Sequence, residues 1–207
     1  MKLERLIVGP VGTNCYLIMN EETKEVIVVD PGDQALRVQN KIEDMGAHPV
    51  AILLTHGHFD HIMGVPALED LYAHIDIYAL DEEEDLLSDP NLNCSLMVGR
   101  SCSFEPDHWL KDGQKLTLAG MEIEVIATPG HTKGSCCYYF PAEKALFSGD
   151  TLFAESVGRT DLPTGSMGQL SRSIKKLMAM LPEETDVYPG HEYATSIEHE
   201  KRYNPFA

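Results

Sequence analysis

The 207-residue sequence contains no apolar stretch of the roughly eighteen residues a membrane helix needs, and no apolar run follows its polar start, Met1-Lys2-Leu3-Glu4-Arg5. Neither a membrane span nor a signal peptide is expected, which places the protein in the cytoplasm. Basic residues are scarce: 16 Lys and Arg stand against 33 Asp and Glu, a net charge of −17. With no concentrated basic stretch, that field repels phosphodiester backbones and excludes nucleic acid as the expected partner. Cysteine is too sparse and too irregular for a disulfide framework, since the five include the adjacent pair Cys136 and Cys137. Cys15, Cys136 and Cys137 lie in apolar strand-like runs and are expected in the core, while Cys94 and Cys102 fit no zinc-ribbon spacing. Low-complexity linkers and internal repeats are also missing. A hydrophobic content of 43% supports one packed domain spanning residues 1–207.

What is present is an alternation of strand-like and helix-like segments. Short runs rich in Ile, Val, Leu and Tyr predict strands at Leu3–Val8, Cys15–Met19, Glu25–Val29 and Val50–Leu54. Helices are expected over Gln34–Met45, ended by Gly46, and over Ile62–Tyr72. The acidic run Asp81-Glu82-Glu83-Glu84-Asp85 reads as the solvated first turn of a short helix, where negative charge is favoured. After an irregular middle, Gln114–Leu118 and Met121–Ala127 flank Ala119-Gly120 as a hairpin. Strands at Ser135–Phe140, Ala145–Ser148 and Asp186–Tyr188 follow, with helices near Gln169–Met180 and Glu192–Tyr203. Such an order suggests two facing sheets with helices outside, an α/β protein of the αβ/βα four-layer sandwich type.

Chemistry concentrates in Thr55-His56-Gly57-His58-Phe59-Asp60-His61, an HxHxDH motif between an apolar strand and a helix. Imidazole and carboxylate suit zinc and similar divalent ions, and four such groups in six residues make a cation site. Gly57 is expected to let the chain turn tightly between two ligands. Three other segments share one layout of strand, glycine and ligand. Val125–Ala127 leads to His131, Ala145–Ser148 to Asp150, and Asp186–Tyr188 to His191. Should those ends meet on one edge, five histidines and two aspartates converge in a single cleft. His48, His74, His108 and His199 lack this context and read as ordinary polar residues.

These motifs, with Val29-Asp30-Pro31-Gly32, Thr128-Pro129-Gly130-His131-Thr132, Phe147-Ser148-Gly149-Asp150-Thr151-Leu152-Phe153, Gly158-Arg159-Thr160-Asp161 and Tyr188-Pro189-Gly190-His191, resemble the metallo-β-lactamase superfamily. Within it the chain is similar to the short bacterial form of the glyoxalase II-like hydrolases, from about residue 12 onward. The resemblance implies the metallo-β-lactamase fold. It also implies His56, His58 and His131 on a first metal ion, Asp60, His61 and His191 on a second, and Asp150 bridging both. Zinc is the expected metal, with iron or manganese as alternatives. Asp30 becomes either a residue that orients the ligand loops or a turn-capping aspartate. Arg159 falls where those enzymes contact the thiol peptide, and it either meets a substrate carboxylate or pairs with Asp161.

Two nearby divalent ions acidify water, polarise a carbonyl and stabilise an oxyanion, so acyl hydrolysis is the expected reaction. The resemblance narrows this to a small-molecule thioester of the hydroxyacylglutathione type, with Asp60 and Asp150 at the catalytic centre. Typical glyoxalase II enzymes carry a further helical domain, which leaves the thiol carrier of this short form open. Two other readings remain. The Gly158–Asp161 segment also resembles mononuclear-iron persulfide dioxygenases, in which His56, His131 and Asp150 would hold the metal. A non-catalytic metal-binding domain would instead present a closed coordination shell.

Overall fold

Near the amino terminus the apolar runs pair as an antiparallel meander of β1 (Lys2–Val8), β2 (Thr13–Met19) and β3 (Glu25–Val29) in a computed structural model, which describes residues 1–207. The chain then crosses over through α1 (Ala35–Asp44) to β4 (His48–Leu53), parallel to β3. α1 buries Ala35, Val38 and Ile42 on one face, and Gly46 takes the left-handed conformation that ends it. Beyond β4 the expected helix over residues 62–72 is two pieces, α2 (Phe59–Ile62) and α3 (Val65–Leu71). They separate because the Gly64 amide donates to the Pro31 carbonyl at 2.9 Å, outside any helical ladder, and Pro66 in the first turn of α3 starts a new helix.

The middle of the chain is less irregular than its sequence suggests. β5 (Asp76–Leu80) runs parallel to β4, a 3₁₀ turn (Asp81–Glu83) and α4 (Glu84–Ser88) follow, and β6 (His108–Leu110) pairs parallel to β5. These strands are too short, and Ala79 too weak a strand former, to stand out by pattern alone. β1 to β6 form the first sheet in sequence order.

The second sheet begins with the predicted hairpin. β7 (Lys115–Leu118) and β8 (Met121–Ala127) join through Ala119 and Gly120, both at positive φ, as the tightest hairpin turns require. Then come β9 (Cys136–Phe140), β10 (Ala145–Gly149) and a two-residue ribbon of β11 (Leu152–Phe153) and β12 (Ser156–Val157). α5 (Met167–Met180) returns the chain to β13 (Asp186–Pro189), which lies parallel to β10. Instead of one helix from residue 192, the C-terminal segment forms β14 (Thr195–Ser196) and then α6 (Ile197–Tyr203). Glu192 sits at positive φ, which a continuing helix forbids, and Ser196 caps the later start by accepting from the His199 amide. The sheet order is β14-β13-β10-β9-β8-β7.

Three apolar layers hold the sandwich together. Tyr16, Ile27, Leu53, Val125, Tyr138 and Phe147 belong to the cluster between the sheets. Val38, Ile42, Val65 and Leu68 cover the outer face of the first sheet, and Ile174, Leu177 and Ile197 cover that of the second. Cys15, Cys136 and Cys137 are core residues as expected, and Cys94 and Cys102 are buried too. The result is the four-layer sandwich anticipated from the sequence.

Topology then fixes where function lies. β3, β4 and β5 are parallel, so Asp30, the residue 55–61 loop and Glu83 leave the first sheet at one edge. β8 and β10 are each antiparallel to β9, and β13 is parallel to β10, so their carboxyl ends also share an edge. Those are the ends that carry His131, Asp150 and His191.

Phe147 is central to this arrangement: it is 1% exposed, stacks on Tyr188, and meets Tyr16 and Phe140 edge to face. Replacing Phe147 by Ala is expected to cost about 3–5 kcal/mol, the usual range for an aromatic truncated in a core that cannot collapse. Urea unfolding measures it, and a loss below about 1 kcal/mol would show that the two sheets do not depend on this contact.

Candidate metal centre

Seven side chains from four loops meet at the shared edge. His191 Nε2 lies 3.2 Å from Asp60 Oδ2 and 3.5 Å from Asp150 Oδ2. His131 Nε2 lies 3.5 Å from Asp150 Oδ2 and 2.9 Å from His58 Nδ1. His61 Nε2 stands 3.4 Å from Asp150 Oδ1 and 3.6 Å from Asp60 Oδ2. The ring of His56 packs against those of His58, His61 and His131. Asp150 thus touches both halves of the cluster. Two trios have ligand atoms close enough to hold a cation, His56, His58 and His131 in one and Asp60, His61 and His191 in the other.

The outer hydrogen bonds decide which nitrogen each imidazole offers. His61 Nδ1–H donates to Asp30 Oδ2 at 2.9 Å, and His131 Nδ1–H donates to the Arg159 carbonyl at 2.7 Å. Thr55 Oγ1 gives its proton to Asp30 Oδ2 at 2.6 Å and so accepts from His56 Nδ1–H at 3.1 Å. In each ring Nε2 is left as a lone pair facing the centre. The Nε2 atoms of His56 and His61, and Oδ1 of Asp150, are buried without any hydrogen-bond partner in the protein, and His58 turns Nδ1 inward, toward His131 Nε2. Buried polar atoms in such a state are costly, and a divalent cation satisfies them. The residues therefore fit a metal, and a donor set of imidazole and carboxylate without thiolate suits zinc, iron or manganese.

Electrostatics agree. Burial, and then the neighbouring imidazoles, hold His56 well below the usual histidine range, and burial with His131 takes His58 down to about 3. Both rings are neutral donors. Burial also acts to lower His61, yet the carboxylates of Asp60, Asp150 and Asp30 outweigh it and raise the ring to about 10, so a bound cation would take the place of its Nε2 proton. For Asp60 burial acts upward, while His61, His191 and the Thr13 hydroxyl prevail and keep the carboxylate ionised.

Asp30 is one of the residues whose sequence left two readings. Its oxygens accept from the Thr55 amide at 2.8 Å, the Thr55 hydroxyl and the His61 ring, so it braces the ligand loop and does not cap its own turn. A third trio of Asp30, His56 and His61 also lies close together, but those bonds already engage the Asp30 carboxylate. Arg159 pairs with Asp161 through Nε at 2.7 Å and Nη2 at 2.8 Å, which leaves Nη1 free. His199 bonds Glu155 and His108 bonds Asp76, both outside the cluster.

Several supports were not singled out from sequence. Thr13 Oγ1 donates to Asp60 Oδ2 at 3.0 Å. Asn14 Nδ2 and Tyr16 Oη donate to the Pro189 carbonyl at 2.9 and 2.7 Å, pinning the turn before His191. The polar pair Thr13-Asn14 ahead of an apolar strand was the available signal. Glu83 corrects the expectation of a solvated acidic run, being 1% exposed and bonded to the Gly57 amide at 2.7 Å. Gly57 itself is demanded by close approach to Leu86, Leu87 and Glu83 and not by a left-handed turn.

Above the cluster opens a cleft of about 370 Å³, with Val11, Phe59, Phe153 and Leu162 as apolar walls and Arg159 and Glu192 on its polar side. A larger depression of about 510 Å³ beside β14 and α6 shares no residue with the seven-residue cluster. Chemistry and concavity coincide only in the smaller one.

Comparison with known proteins gives the same direction. Residues 8–191 match the family model described as metallo-beta-lactamase superfamily. The chain is 36% identical to the Bacillus subtilis protein named probable metallo-hydrolase YqgX, over 100% of this chain and 97% of the relative. It is 33% identical to the Haemophilus influenzae hydroxyacylglutathione hydrolase GloC, over 100% and 98%. Among solved structures it resembles the BLEG-1 B3 metallo-β-lactamase, at 40% identity, TM-score 0.93 and 99% coverage of both chains. It also resembles TTHA1623 in a di-iron-bound form, at 34% identity, TM-score 0.87 and coverage of 99% and 100%.

Gly190 tests the geometry. A methyl group there would collide with Asp150 Oδ1 and lie 2.7 Å from His61 Cε1. Gly190→Ala is expected to weaken metal retention by about 10–100-fold, the usual effect of disturbing the surroundings of ligands. Metal analysis after dialysis against chelator measures it, and wild-type retention would contradict the close approach.

Proposed function

The chain belongs to the metallo-β-lactamase superfamily and is a metallo-hydrolase, and from that premise we propose that it hydrolyses a small thioester at a two-ion centre, most simply of zinc. The observation that carries the reading is the presence of two complete trios on either side of Asp150, beneath one cleft. In this reading His56, His58 and His131 would hold one ion and Asp60, His61 and His191 the other, with Asp150, which touches both trios, shared between them. The ions supply Lewis acidity, polarising the acyl carbonyl and acidifying water.

The protein's own residues do the rest. Asp60, kept ionised by His61, His191 and Thr13, would hold its ion at the cleft floor as an anion, and the proton of the attacking water passes to solvent without a protein base. Val11, Phe59, Phe153 and Leu162 exclude bulk solvent from the acyl group. Addition of hydroxide to the acyl carbon is followed by cleavage of the C–S bond. The thiolate leaves without obligatory protonation, as a thiol of pKa about 8.5 permits, and the products are a hydroxy acid and a free thiol. Arg159, held by Asp161, presents Nη1 to a carboxylate on the thiol portion of the substrate. The resemblance to GloC supports hydroxyacylglutathione as the substrate class.

The persulfide dioxygenase alternative uses only His56, His131 and Asp150, and leaves Asp60, His61 and His191 without a task. Their complete convergence favours the hydrolase.

Lactoylglutathione hydrolysis tests the proposal. Asp150→Ala should abolish turnover and loosen both ions, while His199→Ala should do neither. Arg159→Ala should raise KM about tenfold with kcat nearly unchanged, as loss of one charge-assisted contact implies. A wild-type protein inert toward thioesters, but holding one iron and consuming oxygen with glutathione persulfide, would overturn the reading.

A further inference from the structure

Glu83 is a buried carboxylate with no part in the chemistry above. It leaves the carboxyl end of β5 and reaches between two ligand loops that are far apart in sequence. Oε1 accepts from the Gly57 amide at 2.7 Å, between His56 and His58. Oε2 accepts from the Gly134 amide at 2.8 Å and the Thr132 hydroxyl at 3.1 Å, just after His131. Thr132 is tied onward to Ser135 at 2.7 Å. A methyl group on Gly134 would collide with the Glu83 backbone and carboxylate, and one on Gly57 would be tight against Leu86 at 3.1 Å.

The loops that Glu83 joins carry His56, His58 and His131, all three members of one trio. The other trio has its own supports in Thr13 on Asp60 and Asn14 with Tyr16 on the turn before His191, while Asp30 serves both halves, through the His61 ring and through Thr55 to His56. We infer that Glu83 is a positioning residue that clips together the three-histidine half of the centre, setting the affinity of that ion independently of the other. The inference rests on the two-ion reading.

The physical case is one of spacing and charge. The three imidazoles share one bond, between His58 Nδ1 and His131 Nε2 at 2.9 Å, which a bound cation would displace, so backbone tethers must hold the rings at coordinating distance. A carboxylate accepting two amides and a hydroxyl is a strong tether. Burial raises Glu83 to about 7 against the downward pull of its three donors. Glutamine fills the same volume but offers one acceptor oxygen, so its NH₂ group must face at least one N–H or O–H donor.

Graded chelator dialysis, with zinc per chain measured by mass spectrometry, separates the ions. For Glu83→Gln, one of the two release steps should shift by about 10–100-fold toward lower chelator, with the other unmoved. Its kcat should fall at unchanged KM and recover with excess zinc. Thr132→Val, which removes one tether and keeps the shape, should shift the same step by a smaller factor, and Thr13→Val, which frees Asp60, should shift the other. Equal shifts of both steps, no shift, or a shared step for Glu83→Gln and Thr13→Val would overturn the clip. A wild type holding a single ion would contradict the two-ion reading, and unchanged affinity of Glu83→Gln for that ion would then overturn the clip as well.

Discussion

Imidazole lone pairs turned toward one another, with carboxylates set among them, repel or strand each other unless a cation lies between. Here His56 and His61 direct buried Nε2 atoms, and Asp150 its buried Oδ1, into a space where no protein donor answers them. Each Nδ1 whose bond fixes a ring's tautomer is engaged outward, to Thr55, Asp30 or the Arg159 carbonyl. That arrangement is unfavourable for folding by itself and favourable only with metal, so ion binding and loop order are coupled.

The remainder of the architecture serves that convergence. Parallel strands in each sheet deliver their carboxyl ends to one edge, so residues from four loops arrive on rigid supports and not on free segments. Outside the ligands lies a ring of neutral or anionic groups, Thr13, Asn14, Asp30, Thr55 and Glu83, each bonded to a ligand or to a ligand loop. A protein of net charge −17 thereby spends part of its negative charge next to the cations. Catalytic consequence follows from placement: Asp60, Asp150 and His191 line the cleft, whereas His56 and His61 lie beneath it.

Much of this was legible because the chemistry is local. HxHxDH packs four donor groups into one loop, and the strand-glycine-ligand layout recurs before His131, Asp150 and His191. The sandwich was legible from strand and helix order. Tertiary context hid the rest. Nothing in five consecutive acidic residues marks Glu83 as the buried one, because only the fold brings it to Gly57 and Gly134. The break at Gly64 depends on Pro31, far away in sequence, and the late start of α6 depends on the backbone of Glu192. β5 and β6 are strands because neighbours pair with them, not because their patterns are strong.

The most direct test of the account is an anomalous-scattering map from crystals grown with zinc. Two peaks are predicted, one among His56, His58 and His131 and one among Asp60, His61 and His191, with Asp150 between them. A single peak, or a peak away from Asp150, would contradict it.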